Sequence, residues 1–293
     1  MLRPKLLFLL TLFACTAGNS SAQDAVNFRP LQDSLLNLSR KIWKCRDDST
    51  RIFADGLFFR VFDSVLNEPG SFAFPFDSIR DISVLKSEDS KIRLISWNIP
   101  LINGKYSYHG FLQTEDGRLF PLTVNPAEPP EWKNSLLSCS EWYGAVYYQL
   151  ITGHYLKKDY YTLLGWNGHD AASTYKIIDA LTLDEKGQPH FGAPFFRTDE
   201  GLKNRIVLEY SKNAGLLLKY DYQTYLQPKG KSVRKTKTWM IVSDRLIPSD
   251  PSLKGIYRFY VPAGDTYDVY IFRDGLWTLV RDIVVANPAP RAK

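Results

Sequence analysis

The sequence predicts a mainly β protein, an antiparallel meander that forms a large sheet, a sandwich or a propeller-like array, preceded by an N-terminal helix pair. Three observations carry this. Apolar residues at helical spacing concentrate between Pro30 and Val65. From Phe76 onward the pattern changes to short strand-like runs divided by Asn-Gly, Asp-Gly and other turn residues, which is how a meander reads in sequence. Several segments share a strand, turn, strand form, yet no strict repeat period emerges, and that weakens the propeller variant.

The elements follow in chain order. Arg3 and Lys5 precede an apolar run from Leu6 to Ala14 and a small-residue tail, Ser20-Ser21-Ala22. A positive n-region, a short h-region and a small-residue cut site mark a secretory peptide, and the run is too short to span a bilayer. Residues 1–22 are therefore read as a signal peptide, with the mature chain starting near Gln23. Leu12-Phe13-Ala14-Cys15 also approximates a lipobox, so soluble export and lipidation at Cys15 both stay open.

Leu31, Leu35, Leu38 and Ile42 fall on one face of a first helix, with Pro30 suited to its first turn. A second helix begins after the capping candidates Asp47 and Asp48, carries Ile52, Phe58, Phe62 and Val65 inward, and stops at Asn67-Glu68-Pro69-Gly70. These helices make residues 23–82 a helical segment whose bulky faces need a partner surface.

Residues 83–286 form the β-rich region. Asn103-Gly104 divides the run Lys91 to Leu101 from Lys105 to Gln113, and Asp116-Gly117 divides the latter from Leu119 to Val124. Asn125-Pro126-Ala127-Glu128-Pro129-Pro130 lacks the backbone donors to continue a sheet, which places an internal break near 125–131. A short helix is expected through Trp132, Leu136 and Leu137, then strands at Tyr143 to Ile151, Tyr160 to Trp166 and Thr174 to Leu183. Arg205 to Tyr210 and Leu216 to Tyr222 flank a five-residue loop and read as a hairpin. Gly255 to Val261, Thr266 to Phe272 and Leu276 to Ile283 read as a three-strand meander, turning at Pro262-Ala263-Gly264-Asp265 and at Asp274-Gly275. Residues 287–293 form a loose tail.

The formal charge is +6 over 293 residues, part of it in the leader, an excess too small to predict nucleic acid as a partner. No later stretch is apolar for the length of a membrane helix, so the mature chain is expected to lack a transmembrane segment. Cys45 and Cys139 remain once Cys15 is removed or lipidated. In an oxidising compartment they are either a disulfide pair or two unpaired thiols. A bridge would close a long loop worth about 4–5 kcal/mol.

Among reactive side chains, Trp166, Asn167, His169 and Asp170 come together in one loop between two strands. Asp170 could tune the imidazole and Trp166 could stack on a sugar, whereas Asn167-Gly168 is also ordinary turn chemistry. His109, His154 and His190 lie far apart without metal-ligand spacing. No nucleophile elbow, phosphate cradle or calcium loop is present, so no catalytic residue, metal or cofactor is assigned. Lys229, Lys231, Arg234, Lys235 and Lys237 cluster before Trp239; they are either an anion-attracting stretch or a solvated loop. Aromatic residues make up 14% of the chain, enough in an exported protein to raise glycan stacking, although strands use aromatic residues structurally as well.

Ser96-Trp97-Asn98, the Gly104 to Phe111 hairpin, Tyr161 to Asp170, Lys176 to Leu181, Phe191-Gly192-Ala193-Pro194 and the Tyr257 to Phe272 stretch together resemble an uncharacterised family of exported β-rich proteins from Bacteroidetes bacteria. The resemblance implies the periplasm or outer envelope of a Gram-negative cell. It carries over no catalytic residue and no fold.

The reading that follows is a noncatalytic exported binding or interaction protein of the bacterial envelope, with a glycan or an envelope protein as partner. Two alternatives stand beside it, an envelope hydrolase acting on glycan or peptide and a lipid-anchored structural component. Oligomeric state and sheet order cannot be read from these residues.

Overall fold

The structure, a computed structural model, describes residues 26–124, 132–156, 158–229 and 232–283. The leader with Cys15, the break at 125–131 and the tail at 287–293 lie outside the described residues. The predicted helix pair is present as α1 (Phe28–Lys44) and α2 (Asp48–Leu66). Asn27 caps α1 through its side chain on the Arg29 N–H, and Asp47 caps α2 on the Thr50 N–H, each satisfying an otherwise unpaired helix donor. Leu35 and Ile42 of α1 meet Phe58, Phe62 and Val65 of α2 in one buried cluster.

Three sheets follow. The first contains β1 (Ser83–Lys86), β2 (Ile92–Pro100), β3 (Tyr106–Thr114) and β4 (Leu119–Leu122), in that order and antiparallel throughout. The second contains β5 (Leu137–Ser138), β6 (Val146–Tyr155), β7 (Lys158–Asn167), β8 (Ser173–Leu183) and β9 (Pro189–Phe191), in the order β5-β9-β8-β7-β6. In the third, β10 (Phe196–Thr198) and β11 (Gly201–Lys203) extend a meander of long strands. After β12 (Arg205–Ser211), which pairs β8 in the second sheet, these are β13 (Leu218–Lys229), β14 (Ser232–Pro248), β15 (Tyr260–Arg273) and β16 (Leu276–Ile283). The order is β11-β10-β16-β15-β14-β13, and β10 to β16 is parallel.

Period-two alternation assigns each sheet face a partner. Ile95, Trp97, Ile99 and Phe111 of the first sheet face the helices. Ile92, Leu94, Tyr108 and Leu112 face Tyr161, Leu163, Ile177 and Leu181 of the second. Leu164, Ile178 and Ala180 on the far side of the second sheet meet Leu218, Ile241, Tyr270 and Trp277 of the third. Helices, first sheet, second sheet and third sheet are thus stacked as four layers, and the first cluster joins residues on both sides of the 125–131 segment. Cover on both faces explains why β2 is buried almost throughout, Arg93 and Ser96 included, instead of alternating.

Local sequence misassigned four pieces. Arg205 to Tyr210 and Leu216 to Tyr222 are not a hairpin: β12 joins β8 from Arg205↔Asp179 to Ser211↔Ser173, while β13 joins β14 in another layer. Strand partners are chosen by which apolar face needs cover, and the intervening loop is silent about that. Pro262 to Asp265 is not a turn, because β15 runs through it and pairs β14 on both sides of a register shift. The stretch from Gly255 to Phe259 is a turn and short 3-10 segment instead of a strand. The short helix expected from Trp132 is a 3-10 turn (Trp132–Asn134), and Leu137 enters β5.

Of the two alternatives for Cys45 and Cys139, the structure has the unpaired one, both being free thiols. Cys45 donates to the Lys41 carbonyl at the end of α1, while Cys139 packs against the cluster between the first two sheets. Their elements belong to different layers. Burial pushes the Cys139 thiol up to about 12, which keeps it protonated and unreactive.

Candidate functional site

The Trp166 to Asp170 loop joins β7 to β8, and its polar atoms are engaged within the protein. Asn167 donates to the Gly144 carbonyl at 2.6 Å and accepts from the His169 N–H at 2.7 Å. Asp170 accepts from the Ala172 and Ser173 N–H groups at 2.7 and 2.8 Å. These contacts, working against a burial penalty, hold its carboxyl below the ordinary value. His169, at φ +47°, stacks on Tyr175 with ring centroids 4.2 Å apart and pairs its Nε2 with the Tyr175 hydroxyl at 2.9 Å. Trp166 packs edge-on against Tyr106 at 5.3 Å.

Lys212 closes the loop from β12's end by donating to the Gly168 and Asp170 carbonyls. The glycine itself is dictated by contact, because a Cβ at Gly168 would lie 2.2 Å from the Tyr106 ring. The sequence-predicted residues are therefore brought together, in a turn whose polar groups bond to one another and to Gly144, Tyr175 and Lys212.

A Ser, His and Asp set does converge elsewhere. Asp55 of α2, almost fully buried, accepts from the Trp97 indole at 2.8 Å and lies 2.8 Å from His109 Nε2. Ser107 Oγ is 3.1 Å from that same Nε2. A catalytic relay needs the acid and the nucleophile on different imidazole nitrogens, so this arrangement does not activate Ser107. His154 and His190 each pair with a surface aspartate. Among the described residues no group of His, Cys, Asp and Glu gathers for a metal ion. An open depression between α1, α2 and β2, lined by Ile42, Trp43, Phe58, Asp81, Trp97 and Asn98, has room for about one water molecule, far less than a ligand pocket offers.

The exposed feature that sequence reading missed is an aromatic strip on the third sheet. Tyr222 and Trp239 are directly opposed on β13 and β14. Their rings lie 5.5 Å apart, and Trp239 stacks on Tyr220 at 4.9 Å and 25°. Tyr220 in turn meets the edge of buried Trp277 at 6.1 Å, whose indole is fixed by a hydrogen bond to Thr162. The strip thus runs from the core outward. Trp239 remains 53% exposed and Tyr222 45%, so the indole, covered by Tyr220 on one side, presents its remaining surface to solvent.

Charges flank the strip. The Lys237 ammonium sits 4.8 Å over the Tyr222 ring. Glu88, exposed on the β1–β2 turn and held through its N–H by Thr152, is near enough that its charge adds to burial in raising the Tyr220 hydroxyl above its ordinary value. Of the basic cluster, Lys235 and Lys237 are exposed; Lys231 and the side chains of Lys229 and Arg234 lie outside the described residues. The alternation Tyr220, Tyr222 was legible in the sequence, but which strand would lie opposite it was not.

Neither known family models, nor characterised proteins, nor solved structures match this chain. The resemblance to exported Bacteroidetes proteins accordingly rests on the quoted motifs alone, and the fold is that of a β-rich domain. Among the described residues no helix is long and apolar enough to cross a membrane.

Proposed function

We propose that this protein is a noncatalytic, exported binding protein of the bacterial envelope that takes a glycan on the Tyr220–Trp239–Tyr222 strip. Export rests on the leader at residues 1–22. Binding rests on a single observation: an indole backed by Tyr220 and left half open to solvent, beside a Tyr222 ring that carries the Lys237 ammonium over its face. A flat aromatic face takes the C–H face of a pyranose, and flanking charged groups accept from and donate to its hydroxyls, a combination of apolar platform and few polar groups that recurs in ligand sites. Because the strip is continuous with the core through Trp277, it is rigid before ligand arrives, which lowers the ordering cost of binding.

The test is a binding screen with chitin oligosaccharides, soluble β-glucan and peptidoglycan fragments, repeated with Trp239→Ala and with Trp166→Ala and His169→Ala as comparison. The expected result is binding that weakens at least tenfold in Trp239→Ala, about 1.4 kcal/mol, and is unchanged in the two loop variants. Equal affinity in Trp239→Ala and the parent would reject the strip, and loss in the loop variants alone would move the site to Trp166 and His169.

A further inference from the structure

A second surface, independent of the glycan reading, lies in the excursion between β14 and β15. Residues 254–259, Lys254-Gly255-Ile256-Tyr257-Arg258-Phe259, are all exposed. Ile256 is 41%, Tyr257 56% and Phe259 41% open to solvent, and exposed Ile247 stands nearby at the end of β14. Leaving three large apolar side chains in water within four residues forgoes their burial, so such a cluster marks a contact surface.

The segment is also held firmly. Ser249 donates to the Phe259 carbonyl at 3.0 Å, closing the base, and Gly255 donates to the Tyr260 hydroxyl at 3.0 Å. Ile256 donates to the Leu253 carbonyl at 3.0 Å. Asp250 caps the first turn through Ser252. The Tyr257 and Tyr260 rings pack 4.9 Å apart, and the Arg258 guanidinium lies over the Phe259 ring at 5.5 Å.

We propose that this knob seats the protein on an anionic lipid surface. Charge and size both favour that occupant. The cations Lys254 and Arg258 flank the apolar side chains, and the one acid between Ser249 and Tyr260, Asp250, is spent on Ser252, so the segment presents positive charge around exposed apolar side chains. A stable protein interface needs roughly 800 Å² from each partner, more than three partly exposed side chains supply. A bilayer demands no matching surface: a few apolar groups enter the headgroup boundary while cations meet anionic lipid, each worth about 1 kcal/mol. Tyrosine, with an apolar body and a polar tip, suits that depth.

The experiment is vesicle co-sedimentation of the mature chain starting at Gln23, which carries neither the apolar leader nor Cys15, with phosphatidylcholine vesicles and with vesicles containing 30% phosphatidylglycerol. Binding to the anionic vesicles is expected, weakened tenfold or more by Tyr257→Ser with Phe259→Ser. Arg258→Glu should weaken it about fivefold or more, the equivalent of at least one lost cation. Unchanged binding in the double variant would overturn the proposal, as would no binding to either vesicle by the parent. So would a parent dimer, seen by size exclusion, that the double variant dissolves. Thermal unfolding checks that each variant is folded, and Arg258→Glu, a substitution at an exposed position, keeps the proposal refutable if the double variant is not. Glycan binding by these variants should match the parent, which separates this proposal from the reading of the aromatic strip.

Discussion

Removing Arg205 would leave the Asp179 carboxylate buried without its countercharge. The two side chains have no solvent exposure, with Arg205 Nε 2.9 Å from Asp179 Oδ2. Tyr143 donates to the same oxygen at 2.8 Å and meets the Tyr147 hydroxyl, which accepts from the Trp142 indole. The Arg205 guanidinium also lies 4.5 Å over the Tyr143 ring. Burial pushes the Asp179 carboxyl above its ordinary value against the pull of Arg205. Breaking such a pair costs more than the pair gives, so Arg205→Ala should lower unfolding free energy by about 3–5 kcal/mol, read by urea denaturation. Arg205→Ala with Asp179→Ala should be less harmful than the sum of the two single changes. The cysteines supply a second expectation: because Cys45 and Cys139 are free thiols, a reducing agent should leave Tm unchanged. A drop of several degrees on reduction would show a bridge. At this scale the sequence was least legible. Spacing could not show that Asp179 and Arg205 face each other, or that His169 would be consumed by Tyr175.

Elements were read with more success where one period governs them. The steps of three and four between Leu31, Leu35, Leu38 and Ile42 placed α1 within two residues of its observed start, and Asp274-Gly275 marked the β15–β16 turn, both residues having positive φ, +50° and +79°. Partner choice was the illegible part, as the separation of β12 from β13 shows. β13 is an edge strand, and its free side is already blunted. The Tyr148 hydroxyl donates to the Leu218 carbonyl, Gln149 Oε1 accepts from the Tyr220 N–H, and Asp221 accepts from the Tyr222 N–H, while Pro228 has no N–H to offer. Such devices discourage strand addition by other chains. Tyr148→Phe together with Gln149→Ala should destabilise by about 1–3 kcal/mol and increase aggregation at raised temperature, measured by light scattering.

For the whole molecule, the seam between the first and second sheets holds an acid-sensitive joint. Ser87 to Lys91, the turn joining β1 and β2, reaches β7 through Asp89 with the Tyr161 hydroxyl at 2.7 Å and through the Lys91–Asp159 pair. Burial opposes the Asp89 charge, but hydrogen bonds from Ser87 and Tyr161 win and hold its carboxyl below 3.8. Lys91 and then His154 lower Asp159 in the same direction. Both carboxyls bind protons less tightly folded than unfolded, so the stability they confer is complete above pH 3.8 and is lost as pH falls through their lower folded values. Asp89→Asn should lower stability at neutral pH and flatten its decline below pH 3.8, followed by circular dichroism across an acid titration. An unchanged slope would place the acid sensitivity elsewhere. The layer order itself was beyond sequence reading, since alternation tells which residues are buried without telling which sheet buries them.

One feature of β14 bears on how this chain can vary. Trp239 and Ile247 lie on the same strand, eight residues apart, or about 26 Å at the rise of an extended chain. If a sugar sits at the first and lipid meets the knob beyond the second, β14 is a ruler that sets how far cargo stands off the bilayer. Parity then governs its length: inserting or deleting two residues resizes the ruler by about 7 Å and preserves the faces, whereas a change of one puts Trp239 and Ile247 on opposite faces of the sheet.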